Sequence, residues 1–257
     1  MRIKLLSFCL LFSTVAGADP IHQWVRDNQT VKVSEALEAD KLSPPEDGVL
    51  LIEKRMDGAT PLLIAAFDGN QKMCDLLLGY GADLAEVDLM GDSALFRAFS
   101  EGHSALGLHL LAKGASLEQT NKVGETPFMM AARSADTASF EKLLASKPDL
   151  EATDSRGRTA LHHAVENGQR GNVALLLAAG SQVNLDDKKG STVLHKAVGM
   201  GDPEMVVLLL GAGADPAAKD ARGRTAERIA VERGDQRMVR ALGADPKEKK
   251  ADKRTGR

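Results

Sequence analysis

The chain has 257 residues, 43% of them hydrophobic and only 4% aromatic, enough for a large core made of aliphatic and small side chains. The formal charge of −3 contains +2 from residues 1–18 and +4 from residues 247–257, so residues 19–246 carry −9. An acidic body argues against nucleic acid as the main partner.

Residues 1–18 combine Arg2 and Lys4, an apolar run from Leu5 to Val15, and Ala16-Gly17-Ala18 before Asp19. A basic end, a short apolar centre and an A-x-A site form the pattern of a cleavable secretory signal peptide. The run is too short to span a bilayer, so the expectation is an exported protein without a membrane span. The compartment is the periplasm, or the outside of the cell if the source is eukaryotic. Cleavage leaves Cys74 as the sole thiol, which excludes an internal disulfide.

Residues 19–56 follow no period. Pro20, Ile21, Trp24 and Val25 suit one face of a short helix, and Val31, Val33, Ala36 and Leu37 belong to a second element of undecided type. Ser43-Pro44-Pro45-Glu46-Asp47-Gly48 is a break. The stretch reads as a degenerate N-terminal cap, with Trp24 covering the end of whatever follows.

From residue 57 the chain repeats. Glycines stand at 58, 91, 124, 157, 190 and 223, each followed two positions later by Thr60, Ser93, Thr126, Thr159, Thr192 or Thr225. A fixed 33-residue period with a recurring helix start signals a stacked-repeat solenoid. Thr60-Pro61 is an N-cap followed by the helix position where a missing N–H costs nothing. A helix of about nine residues should end at Gly69, and a second helix should carry the pair Leu77-Leu78 into the seam between layers. The leucine pair recurs at 110–111, 143–144, 176–177 and 209–210. The last unit is short, with a charged helix suited to a C-terminal cap. Residues 247–257, with six basic and two acidic side chains, read as a disordered tail.

Gly58-Ala59-Thr60-Pro61-Leu62, Gly157-Arg158-Thr159-Ala160-Leu161-His162 and Gly190-Ser191-Thr192-Val193-Leu194-His195 resemble the T-P-L-H signature of ankyrin repeats. The resemblance covers about residues 57–246 and implies an all-α solenoid of helix-turn-helix units. It gives five full repeats plus degenerate caps, with hairpin loops between units and a groove where partners bind. In that family His162 and His195 have structural duties.

Function should then lie where the pattern is broken. Sequence shows no nucleophile paired with a base, no phosphate loop and no carboxylate pair at fixed spacing, so no enzyme, cofactor or metal site is expected. The hairpin-tip position before the periodic glycine reads Met90, Val123, Arg156, Lys189 and Arg222. The helix position expected to face the groove reads Ile64, Arg97, Met130, His163, Lys196 and Ile229. Both series begin largely apolar and turn basic, and Phe67 and Leu89 add apolar area at the first end. Ile64, Phe67, Leu89, Met90, Arg97, Val123, Met130, Arg156 and His163 are therefore the candidate partner-binding residues, on a monomer. Met129 and Phe96 are candidate core fillers opposite Gly107, which stands where other repeats have a core side chain.

The leading expectation is a protein-binding module. The chain resembles bacterial exported ankyrin proteins, some of which accompany periplasmic catalases, and this implies support or regulation of such an enzyme. The alternatives are an immunity protein that blocks a toxin, and a haem- or metal-handling protein using His163 with Met or Cys74.

Overall fold

A computed structural model describes residues 20–42 and 58–243. Residues 1–18, read as a signal peptide, the break at residues 43–48 and the basic tail lie outside the described residues. Regular structure among those described is helical, apart from isolated bridges joining Val87 to Ser93 and Asp186 to Thr192. The chain divides into two compact units at Lys122 and Val123.

The first unit contains α1 (Pro20–Arg26), α2 (Thr30–Leu42), α3 (Pro61–Phe67), α4 (Gln71–Gly79), α5 (Ala94–Ser100) and α6 (Ser104–Ala112). Within it α1 packs on α3 and α3 on α5, while α2 packs on α4. The stretch read as a cap is thus a helix pair like the others, lacking their signature. Its second element, undecided from sequence, is helix α2. Ile21, Val25, Val33 and Leu37 are its buried apolar side chains, His22 is buried beside them in sequence, and Trp24 is half-buried.

The second unit contains α7 (Pro127–Ser134), α8 (Thr137–Leu144), α9 (Ala160–Glu166), α10 (Arg170–Ala178), α11 (Val193–Met200), α12 (Pro203–Gly211), α13 (Ala226–Glu232) and α14 (Gln236–Ala241). Here α7, α9, α11 and α13 form one row, with α8 on α10 and α12 on α14 in the other. In the periodic repeats the first helices run seven or eight residues, shorter than expected.

The helix starts follow the sequence logic. Thr126 Oγ1 accepts from Met129 N at 3.2 Å and Ser93 Oγ from Phe96 N at 3.2 Å, satisfying an amide with no partner inside the helix. At Thr159 and Thr192 the cap is reciprocal. His162 Nδ1 accepts from Thr159 N and His195 Nδ1 from Thr192 N, both at 3.2 Å. His195 Nε2 then donates to Arg224 O of the next layer at 3.0 Å. These histidines are structural.

Of each leucine pair the first member, Leu77, Leu110, Leu143, Leu176 or Leu209, is fully buried and the second half-buried. Gly107 makes room for Phe99, since a Cβ there would lie 2.3 Å from the Phe99 ring. Phe96 and Met129 are buried in the core as expected, and it is the Phe99 ring that occupies the space at Gly107. Cys74, at the equivalent position, is wholly buried, and burial pushes its thiol up to about 12. It is a small hydrophobe, unsuited to metal or redox duty.

The periodic glycine has two reasons to be glycine. Gly190 has φ +66°, and a Cβ there would stand 2.8 Å from the backbone nitrogen of Ala221 in the next turn. Left-handed conformation and close approach of the neighbouring layer act together. The third repeat lacks its mid-repeat glycine, and Ala135 ends α7 in extended conformation. Asn172 repairs the turn: its side-chain amide donates to Ala132 O at 3.2 Å and to Ala135 O at 2.9 Å.

Candidate functional site

One aspartate organises each of four turns. In the first unit Asp88 Oδ1 accepts from Met90 N at 2.7 Å and Asp92 N at 3.1 Å, while Oδ2 accepts from Arg97 Nε at 3.0 Å and from its Nη2. Burial alone would raise the Asp88 carboxyl. Arg97 and the two amides outweigh it and hold the group below the usual carboxylate range. The guanidinium also pairs with Asp92 at 3.3 Å and lies 6.0 Å from the Phe67 ring centroid, within cation–π reach.

The turn is thereby fixed with its apolar residues outward. Leu89 is 65% exposed, Met90 52% and Phe67 45%. Leu89 folds over Gly58, where a Cβ would meet its Cγ at 2.3 Å, so part of its side chain is committed to packing. Met90 is free of that duty, while its carbonyl accepts from Lys122 N at 2.9 Å.

In the second unit the same letter is Asp154, Asp187 and Asp220, each buried. Their Oδ1 atoms accept from the amides two and four residues on, at 2.8 to 3.0 Å. Each has a basic partner: Arg158 for Asp154, Lys196 for Asp187 and Arg224 for Asp220, all at 2.7 Å. Arg224 and the turn amides hold Asp220 down to about 2. Arg158 reaches further, to Glu125 of the preceding layer at 3.1 Å and to Glu166 at 2.9 Å, and Lys196 joins Glu166 at 2.9 Å. The result is a half-buried ion network linking three successive repeats.

His163 belongs to that network. Glu125, Asp154 and His163 lie close enough to hold a metal ion, but the Arg158 guanidinium already bonds both carboxylates. Asp154 is saturated by two amides, Arg158 and His163. A metal would have to displace the half-buried Arg158 guanidinium, so the donor set fits an ion network better than a metal site.

Three candidate residues are corrected by the structure. Ile64, Met130 and His163 are buried rather than groove-facing. Nearly all of α3, α7 and α9 is enclosed by neighbouring helices, whereas Arg97, Lys196 and Ile229 at the same helix position are half-buried. Phe67, Leu89, Met90 and Arg97 come together in the first unit. Val123 and Arg156 are exposed turn residues of the second, with Val123 O accepting from Ser155 N at 2.8 Å. The turn aspartate was missed from sequence, although its signal was present: Asp88, Asn121, Asp154, Asp187 and Asp220 recur three residues before the periodic glycine. Between α4 and α6 there is also an open groove of about 830 Å³, where His109 Nε2 lies 2.7 Å from Asp75 Oδ1.

The family model for ankyrin repeats in three copies matches residues 21–121, 106–187 and 170–254. The chain is similar to the solved ankyrin repeat domain of Bcl-3, described as a unique member of the IkappaB protein family. The two are 28% identical with a TM-score of 0.69, over 88% of this chain and 99% of that one. It is also similar in fold to the human ASB11 ankyrin repeat domain, at 23% identity and a TM-score of 0.72, over 88% and 96% of the two chains. No curated protein matches the chain.

Proposed function

From the premise that the chain belongs to the ankyrin-repeat family, whose repeats generally mediate protein binding, we propose that it is an exported binding module without enzymatic activity. It holds another protein and supports or regulates it. The observation that carries this reading is the apolar end of the first unit. Leu89 and Met90 are held outward by a turn locked through Asp88 and Arg97, with Phe67 exposed beside Arg97. Apolar side chains fixed on a rigid turn bind with little ordering cost, and methionine adapts to the surface it meets. The carboxylates of the turns are committed to amides and cations, which leaves them poorly placed as general bases.

Export rests on residues 1–18, and the resemblance to bacterial exported repeat proteins makes a periplasmic catalase the first partner to test. The mature chain, tagged, is incubated with extract from its own exported compartment, and what it retains is identified by mass. A single stoichiometric protein, lost with Met90→Asp at unchanged melting temperature, supports the reading. Assay of that protein with and without the chain then distinguishes support from inhibition. Retention indifferent to Met90→Asp would count against this surface.

A further inference from the structure

The net charge of −9 over residues 19–246 conceals where the charges point. In the second unit the turn aspartates Asp154, Asp187 and Asp220 are buried, 4 to 6% exposed, and each is neutralised by its own basic partner. The residues two positions on, Arg156, Lys189 and Arg222, are exposed, as are Lys188 and Lys219. None of these five has an ion-pair partner among the described residues, and Asp186 is the exposed acid beside them. The turns are in register, because Lys188 N donates to Arg156 O and Ala221 N to Lys189 O, each at 2.9 Å. One basic side chain therefore stands on each of three successive layers.

We infer that this row, Arg156, Lys189 and Arg222 with Lys188 and Lys219 beside it, binds an acidic segment of the partner protein in extended conformation. The inference rests on the protein-binding reading above and names the chemistry of what is bound. Layers built on directly packed helices repeat at about 8–10 Å. A chain in the extended polyproline II conformation rises about 3.1 Å per residue with three residues per turn, so acidic side chains at every third position share one face about 9 Å apart, and each meets one basic side chain per layer. Phosphates of a nucleic-acid strand recur at a shorter interval. The turns also offer no aromatic side chain on which bases could stack, since Asp154–Arg158, Asp187–Ser191 and Asp220–Arg224 contain none. Charge complementarity at exposed tips adds chiefly to encounter rate and selectivity, with strong salt dependence.

The test is fluorescence anisotropy of the purified protein with a labelled peptide repeating Glu-Ser-Gly. Controls are a peptide of the same composition with its glutamates clustered, a single-stranded oligonucleotide and vesicles of anionic lipid. The spaced peptide should bind best, and its affinity should fall when salt rises from about 0.05 M to about 0.3 M. The combined changes Arg156→Glu, Lys189→Glu and Arg222→Glu should weaken it by about tenfold or more. All three positions are exposed, and an unchanged melting curve confirms that the variant folds. Equal binding of the clustered peptide, tighter binding of the oligonucleotide or vesicles, or no effect of the charge reversals would each overturn the inference. Loss of partner capture with Met90→Asp alone, and not with the charge reversals, would leave the binding module standing and remove only the acidic segment.

Discussion

His163 donates its Nε2 hydrogen to Asp154 Oδ2 across 3.3 Å, and both side chains are almost wholly out of water. Burial, followed by the nearby Arg158 charge, lowers the imidazole from 6.5 to about 4 against the pull of Asp154. The unfolded chain therefore binds the proton first. The contribution of His163 is fully present above pH 6.5 and is lost as pH falls toward 4, about 3 kcal/mol in all. Denaturant unfolding measured across that window should show falling stability for the natural chain and a shallower fall for His163→Gln. Equal slopes would show that other groups carry the effect. Asp154, Asp187 and Glu166, held below the usual carboxylate range once burial is outweighed by their partners, extend the loss to lower pH.

The two glycine-type positions should respond in opposite directions. Gly190→Ala places a methyl 2.8 Å from Ala221 N at φ +66° and should cost about 2 kcal/mol or more. Lys147 occupies φ +53° where other repeats have glycine, so Lys147→Gly should stabilise by about 0.5–1 kcal/mol. Thermal melting of the two single variants decides both.

Phe99 and Gly107 form an exchanged pair, large for small and small for large, relative to Ala66 and Cys74 in the previous repeat. Phe99→Ala should cost about 3–5 kcal/mol through the cavity it leaves. Gly107→Ala should also destabilise, by crowding the ring. In the double variant the new methyl enters the space the ring vacated, so its loss should be clearly smaller than the sum of the single losses. Additive losses would show that the two do not share one space.

Asn172 stands where the first and fifth repeats have Met73 and Met205. Asn172→Met would restore the apolar pattern, yet it should destabilise by about 1–2 kcal/mol. The carbonyls of Ala132 and Ala135 would lose their donor in a buried place. An increase in melting temperature would mean that apolar packing outweighs the turn.

The sequence by itself determined the repeat. The 33-residue glycine spacing, the hydroxyl two positions later and the leucine pair fix helix starts, helix class and seam, because these are local rules of capping, left-handed turns and periodic burial. It also placed Leu89, Met90 and Phe67 on an exposed apolar surface. Ile64, Met130 and His163 could not be placed the same way, since burial at their helix position depends on how closely neighbouring layers pack. The direction of charge was equally a matter for the fold. A count of −9 does not reveal that Asp154, Asp187 and Asp220 turn inward to bind their own backbone while Arg156, Lys189 and Arg222 remain in water. Periodicity is a property of the chain, whereas exposure and ion pairing depend on contacts between residues about one repeat apart, and only the packed layers decide them.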